Sequence, residues 1–153
     1  TASGRETTRE VVEHADCVAV VAVESDGSVL LVRQFRQPVG RELLEIPAGG
    51  IDPGEGPEAA VRRELQEETG YCPGRLTRLG GFYSAPGYGT EYLHLYLANE
   101  LSPGRLFAED TESITVVRVS AGEIPRLIAS GEIRDAKSVA GLLVYREYLK
   151  KPA

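Results

Sequence analysis

Residues 63–68 read Arg-Glu-Leu-Gln-Glu-Glu, and the spacing of Glu64, Glu67 and Glu68 is that of carboxylates gathered along one arc of a helix. On a straight helix turning about 100° per residue, Val61 and Leu65 mark the buried stripe. Glu68 then falls roughly 40° from its centre, Glu64 roughly 80° and Glu67 roughly 140°. Two of the three acids therefore sit beside the core. A solvated acidic face is the ordinary fate of a Glu-rich helix, but it fits poorly here. Glu64 and Glu68 are like charges at i and i+4, which costs a few tenths of a kcal/mol in water and much more where water is partly excluded. A bound cation removes that cost. Oxygen-only donors suit a hard ion, so the expected cofactor is Mg²⁺, with Mn²⁺ as a substitute. Arg63 is placed at i to i+4 from Glu67, the spacing of an ion pair, and is read as orienting the acids rather than touching substrate. Zinc is disfavoured. His14 and His94 stand alone in strand-like segments and are read as structural. Cys17, in an apolar run, and Cys72, in a turn-like Gly-Tyr-Cys-Pro-Gly segment, make neither a zinc pattern nor a disulfide framework, and are read as a core thiol and a loop thiol.

The elements that must position these acids alternate between strand and helix. Arg9–Glu13, Cys17–Val23, Val29–Arg33 and Arg41–Ile46 read as strands. A loop rich in Gly and Pro covers residues 47–57, and Glu58–Glu68 reads as a helix with Pro57 at its first position and Gly70 as its stop. Leu76–Phe82 and Glu91–Ala98 are strands, the second alternating Leu93, Leu95 and Leu97 against Tyr92, His94 and Tyr96, and Ile114–Val119 adds one more. Ser120 and Glu123 have capping-box spacing before a short helix ending near Gly131, and Asp135 caps a last helix through Leu149. Many strands, a mid-chain helix and C-terminal helices predict a mixed sheet flanked by helices, an α+β or layered α/β/α domain.

Composition narrows the partners. At 153 residues and 42% hydrophobic content, the chain fits one domain with a substantial core. A net charge of -6 works against a broad basic surface for a nucleic acid polymer, leaving a small phosphate-bearing substrate neutralised by a metal or a few arginines. The strongly apolar run Cys17–Val23 is far short of a bilayer span, so no membrane partner and a cytoplasmic location are expected. The sequence has no methionine, even at position 1, and is read as a trimmed or processed form. Neither a G-x-S-x-G elbow, a P-loop nor a strand-linked G-x-G-x-x-G occurs, which argues against a covalent hydrolase, a P-loop enzyme and a dinucleotide-dependent dehydrogenase.

Gly49, five residues, Glu55, seven residues and then Arg63-Glu64-Leu65-Gln66-Glu67-Glu68-Thr69-Gly70 resemble the Nudix box, G-x5-E-x7-R-E-U-x-E-E-x-G-U, where U is a bulky aliphatic. Tyr71 departs from the final aliphatic position and removes no metal ligand. Seven fixed matches arise by chance on the order of once in a million chains or less. The resemblance implies a Nudix-type α/β/α sandwich spanning residues 1–153 as a single domain, with a loop-helix-loop metal site. It implies Glu64 and Glu68 as the principal metal-binding acids, Glu67 as the third member, and Ala48 as donor of a backbone carbonyl. The chemistry implied is addition of water across a diphosphate, giving two monophosphate products.

The flanks resemble ADP-ribose pyrophosphatases. Val32-Arg33-Gln34-Phe35-Arg36, Glu45-Ile46-Pro47-Ala48-Gly49 and Ser84-Ala85-Pro86-Gly87 with Glu91 beyond it carry this likeness, Pro86 lying fifteen residues after the last box position. It implies hydrolysis of ADP-ribose to AMP and ribose 5-phosphate, with Arg36 as a diphosphate clamp, Tyr88 stacking on adenine, and Glu45, Pro86 and Glu91 in the substrate site. Other substrates, namely a nucleotide sugar, a diadenosine polyphosphate or a noncanonical nucleoside triphosphate, stay open, as does a non-catalytic nucleotide-binding regulatory domain, against which the complete acid set argues. The resemblance also implies a homodimer, with residues 1–14 as the remnant of a dimerisation element. It points to the loop before the late strand for the general base, Glu112 first and Glu109 second, with Glu67 as a further alternative.

Overall fold

The computed structural model describes residue 4, residues 6–104 and residues 113–150. Its elements in chain order are β1 (Cys17–Val23), β2 (Ser28–Arg36), β3 (Arg41–Glu45), β4 (Ala48–Gly50), α1 (Pro57–Thr69), β5 (Tyr71–Tyr83), β6 (Tyr92–Pro103), β7 (Thr115–Ser120), α2 (Ile124–Ala129) and α3 (Ala136–Leu149). β1 is apolar at every position because both of its faces are buried. Cys17, Ala19, Val21 and Val23 enter the core layer that contains Ile124, Leu127, Leu142 and Tyr145 of α2 and α3. Val18, Val20 and Ala22 enter the opposite layer, with Ala60, Val61 and Leu65 of α1. The period of two along one strand thus defines the expected α/β/α sandwich.

The strand path is β3-β2-β1-β6-β5, with β1 and β6 parallel and the other neighbours antiparallel. Along β1 the antiparallel partner changes. Cys17–Ala19 pair with Gly50–Ala48 of β4, whereas Ala22 and Val23 pair with Leu30 and Val29 of β2. β4 and β2 thus diverge along β1, and Ala48–Gly50 of the one and Gln34 and Arg36 of the other both line the site.

α1 runs as the residue pattern expects. Pro57 stands at its first turn, and Gly70, at φ 79°, ends it by donating its N–H to the Gln66 carbonyl. That left-handed conformation favours glycine. At the start of α3 the Asp135 side chain accepts from the Ser138 N–H, again as expected.

Three expectations are corrected. Arg9–Glu13 is not a strand: only Val12 bridges to Gly89, and both Val11 and Val12 are exposed, so the segment has no apolar face to bury. Cys72 is not a loop thiol, because β5 begins at Tyr71 and pairs Cys72 with Ser102. Pro73 and Gly74 do not break β5, which sits at the end of the strand path, where a proline needs no ladder donor. Ser120 does not cap α2. It is still in β7, and its hydroxyl donates to the Glu123 side chain at 3.3 Å, while Glu123 takes the cap position without a side-chain cap bond.

Candidate active site

The box helix brings its acids to one cleft. Gln34, Arg36, Ala48, Gly49, Gly50, Arg63, Glu64, Glu67, Glu68 and Ile114 line a space of about 410 Å³. Glu68 lies on the buried stripe of α1, 9% exposed, as its position relative to Val61 and Leu65 requires. Its carboxylate accepts the Ala48 N–H at 3.0 Å and stands 3.5 Å from Gln34 Nε2. Burial pushes its pKa up to about 7, opposed by the Ala48 hydrogen bond and reinforced by the charge of Glu64. Ala48 faces Ala19 in a register where the next ladder bond, Val20 N–H to Pro47 O, bypasses it. In such a pair the N–H and C=O of one residue both turn away from the neighbouring strand, so the Ala48 carbonyl is turned toward α1 with its N–H.

Arg63 is the organiser of the other acids. It donates to Glu55 at 3.1 and 2.9 Å, to Glu64 at 2.6 Å, to Glu67 at 3.2 Å and to the Gly50 carbonyl at 2.8 Å. Its guanidinium pKa is raised, first by its hydrogen bonds to Glu55, against a smaller opposing effect of burial. Glu67, projected farthest from the core, is only half-buried rather than exposed because Arg63 folds over it. Gly49 completes the arrangement, since a Cβ there would overlap the Glu64 carboxylate. Oxygen donors only, from three carboxylates and a strand carbonyl around a polar cleft, fit a hard divalent cation. Glu64, Glu67, Glu68 and Ala48 are the residues that could hold one.

A second cleft of about 530 Å³ adjoins the first, sharing Arg36, Ala48, Gly49 and Gly50 with it. Arg36 is held there by Glu45 through a two-pronged bond, 3.0 Å from Nε and 2.7 Å from Nη2. Glu45 is 1% exposed and also accepts from Lys137, which in turn donates to Asp135 at 3.0 Å. Burial alone would raise the Glu45 pKa, but the Arg36 hydrogen bond and the Lys137 charge outweigh it and hold the carboxyl below the usual range. Ser138 fixes α3 beside this group by accepting the Ile46 N–H at 2.8 Å. Glu91 lines the same cleft, next to Cys17 and His14.

Of the residues expected in the site, Ala48, Arg63, Glu64, Glu67 and Glu68 share the first cleft, Arg36 borders both, and Glu45 and Glu91 line the second. Pro86 and Tyr88 lie in the turn from Ala85 to Gly89, and neither lines either cleft. Glu109 and Glu112 lie outside the described residues. Lys137 and Asp135 were not anticipated as cleft residues. Asp135 showed as a helix cap, but nothing in the residue pattern ties α3 to Glu45, 92 positions before Lys137.

Acids on a helix face beside the core, a strand carbonyl turned toward them and an arginine locked onto a buried glutamate around adjoining clefts are equipment for handling a diphosphate. A family model described as NUDIX domain matches residues 13–142. The ADP-ribose pyrophosphatase of Bacillus subtilis (strain 168) is 41% identical over 138 residues, covering 89% of this chain and 75% of the relative. The ADP-ribose pyrophosphatase of Mycobacterium tuberculosis is 39% identical over 139 residues, covering 89% and 67%. A solved structure described as an ADP compounds hydrolase superposes with a TM-score of 0.83 at 30% identity, covering 88% of this chain and 72% of its own. The chain belongs to the NUDIX family.

Proposed function

We propose that this Nudix pyrophosphohydrolase takes ADP-ribose and yields AMP and ribose 5-phosphate, with Mg²⁺ or in its place Mn²⁺ held by Glu64, Glu67, Glu68 and the Ala48 carbonyl. The observation that carries this reading is the junction of the two clefts at Arg36 and Ala48–Gly50, which sets the acid cleft against an adjoining cleft of about 530 Å³. Bound there, divalent cations supply charge neutralisation for the diphosphate and acidify the attacking water. Arg36, oriented by Glu45, donates to a phosphate oxygen and keeps the diphosphate across the junction. Arg63 holds Glu64 and Glu67 in place and makes no substrate contact. Glu91 serves the substrate from the second cleft, while Pro86 and Tyr88 contribute from the neighbouring turn. Glu112, with Glu109 second, is assigned as general base.

Residues 1–153 form a single domain in this reading, and two copies form a homodimer. No helix among the described residues is long and apolar enough to cross a membrane. The cytoplasm, where thiols stay reduced, suits the two free cysteines.

The test is a panel of ADP-ribose, a nucleotide sugar, a diadenosine polyphosphate and a nucleoside triphosphate, assayed with Mg²⁺ and with products separated. ADP-ribose should give the highest kcat/KM, AMP and ribose 5-phosphate as products, and no turnover in excess chelator. A nucleotide sugar turned over with a higher kcat/KM would transfer the reading to that class. Full activity in chelator would remove the metal assignment.

A further inference from the structure

Outside the box, three donors of a different character meet in the second cleft. Cys17 Sγ lies 3.8 Å from His14 Nδ1 and 3.4 Å from Glu91 Oε1, and the last two atoms are 3.7 Å apart. A tetrahedral zinc ion with ligand bonds of about 2.0–2.3 Å separates its ligand atoms by about 3.3–3.6 Å. The triangle is therefore already of the required size to within a few tenths of an ångström. We propose that His14, Cys17 and Glu91 form a binding site for a thiophilic divalent cation, Zn²⁺ being the ion the donors fit, separate from the carboxylate site on α1.

The fold pre-sets this triangle. Cys17 opens β1 and Glu91 immediately precedes β6, and the parallel register of those strands, Cys17 opposite Leu93, places the two ends together. His14 is tied to the segment carrying Glu91 by a reciprocal pair, its N–H donating to Thr90 Oγ1 at 2.8 Å and its carbonyl accepting from that hydroxyl at 3.0 Å. Cys17 packs in the core layer beneath α2 and α3 and Glu68 in α1; the charge of Glu64 reaches the Cys17 thiol, so the two donor sets are neighbours that share no ligand. The two donor sets also differ in chemistry. Sulfur and imidazole select zinc over Mg²⁺, which demands oxygen and gives up its water reluctantly. All three residues line the second cleft, and three protein ligands would leave a fourth position open, the pattern of an open zinc site.

Binding has a proton balance. The Cys17 thiol, pushed up to about 12 by burial and then by its hydrogen bond to Glu91 and the charge of that residue, gives its proton to solvent. His14 Nδ1 gives up its 2.8 Å contact with the Ala15 carbonyl, and its ring proton resides on Nε2.

Anaerobic titration with Co²⁺, which stands in for Zn²⁺ and reports thiolate ligation by a near-ultraviolet charge-transfer band, tests the site without any assay of hydrolysis. The intact protein should develop that band with one ion per chain. The band should persist in the Glu64→Gln/Glu68→Gln double variant and in Cys72→Ser, and vanish in Cys17→Ala. Because Cys17 is buried, His14→Ala, at an exposed position, supplies the second arm and should weaken binding at least about tenfold. A folded intact protein that shows no thiolate band at saturating Co²⁺, a band that survives Cys17→Ala, or His14→Ala binding as tightly as the intact protein would overturn the proposal. Since ADP-ribose enters none of these measurements, the substrate reading can fail while this site stands.

Discussion

Glu68 couples the cleft to the stability of the fold. Its folded pKa, about 7, lies above the ordinary value of 4.5, so its contribution to stability is complete below about pH 4.5 and is lost as pH rises through about 7. The shift corresponds to roughly 3 kcal/mol at most. Denaturant titrations of the metal-free protein should therefore show stability falling between about pH 5 and pH 7.5, with the fall recovered by Mg²⁺. Glu68→Gln should flatten that profile while cutting turnover by orders of magnitude, and parallel profiles for variant and wild type would count against the assignment. Gly49 gives a contrasting case. The three atoms nearest a methyl group there all belong to the carboxylate at the far end of Glu64, a flexible side chain, so Gly49→Ala should leave the melting temperature nearly unchanged and cost about a hundredfold in kcat by displacing that carboxylate. The acids were legible in the sequence because helical spacing is local: residues at i and i+4 must share a face. Lys137 on Glu45, and His14 and Cys17 beside Glu91, were not, because each pair is joined only when distant segments meet.

α1 carries Glu64, Glu67 and Glu68, and its two ends were readable because Pro57 and Gly70 act through their own backbone preferences. Gly70 at φ 79° is the more demanding, since an L side chain in that region costs about 1–2 kcal/mol. Gly70→Ala should lower the free energy of unfolding by that amount, measured by denaturant titration. Because Glu68 and Thr69 occupy the last turn, the loss should carry a fall in Mg²⁺ affinity. A variant as stable as wild type would show that the turn relaxes without the glycine. The elements that misled were those whose partners lie elsewhere. β5 runs through Pro73 because its edge position tolerates a missing donor, and β6 extends to Pro103 to pair with it. Arg9–Glu13 has the composition of a strand but, among the described residues, no strand partner beyond the single bridge at Val12. Ser120 has capping spacing, yet β7 claims its backbone first through pairing with Ser28.

Across the whole molecule, the sandwich buries both faces of β1 but leaves large apolar side chains uncovered. Val12 is 59% exposed, Phe35 52%, Val39 53% and Tyr88 63%, and Val39 itself lines the second cleft. Val12 and Tyr88 belong to one surface, because the Val12 N–H donates to the Tyr88 carbonyl at 2.7 Å. A second copy is the partner that the homodimer reading provides for these side chains. A stable interface takes about 800 Å² from each partner, roughly a tenth of the 9050 Å² this chain exposes. Covering the rim of the second cleft would also exclude water from bound substrate, so assembly and affinity should change together. Light scattering at micromolar concentration should give twice the chain mass. Val12→Glu/Phe35→Glu should shift the protein toward monomer and raise KM for ADP-ribose several-fold, with the Mg²⁺ requirement unchanged because neither residue lines the acid cleft. A wild-type protein that is monomeric and fully active at the same concentration would refute the dimer and leave Tyr88 and Pro86 without a role in the site.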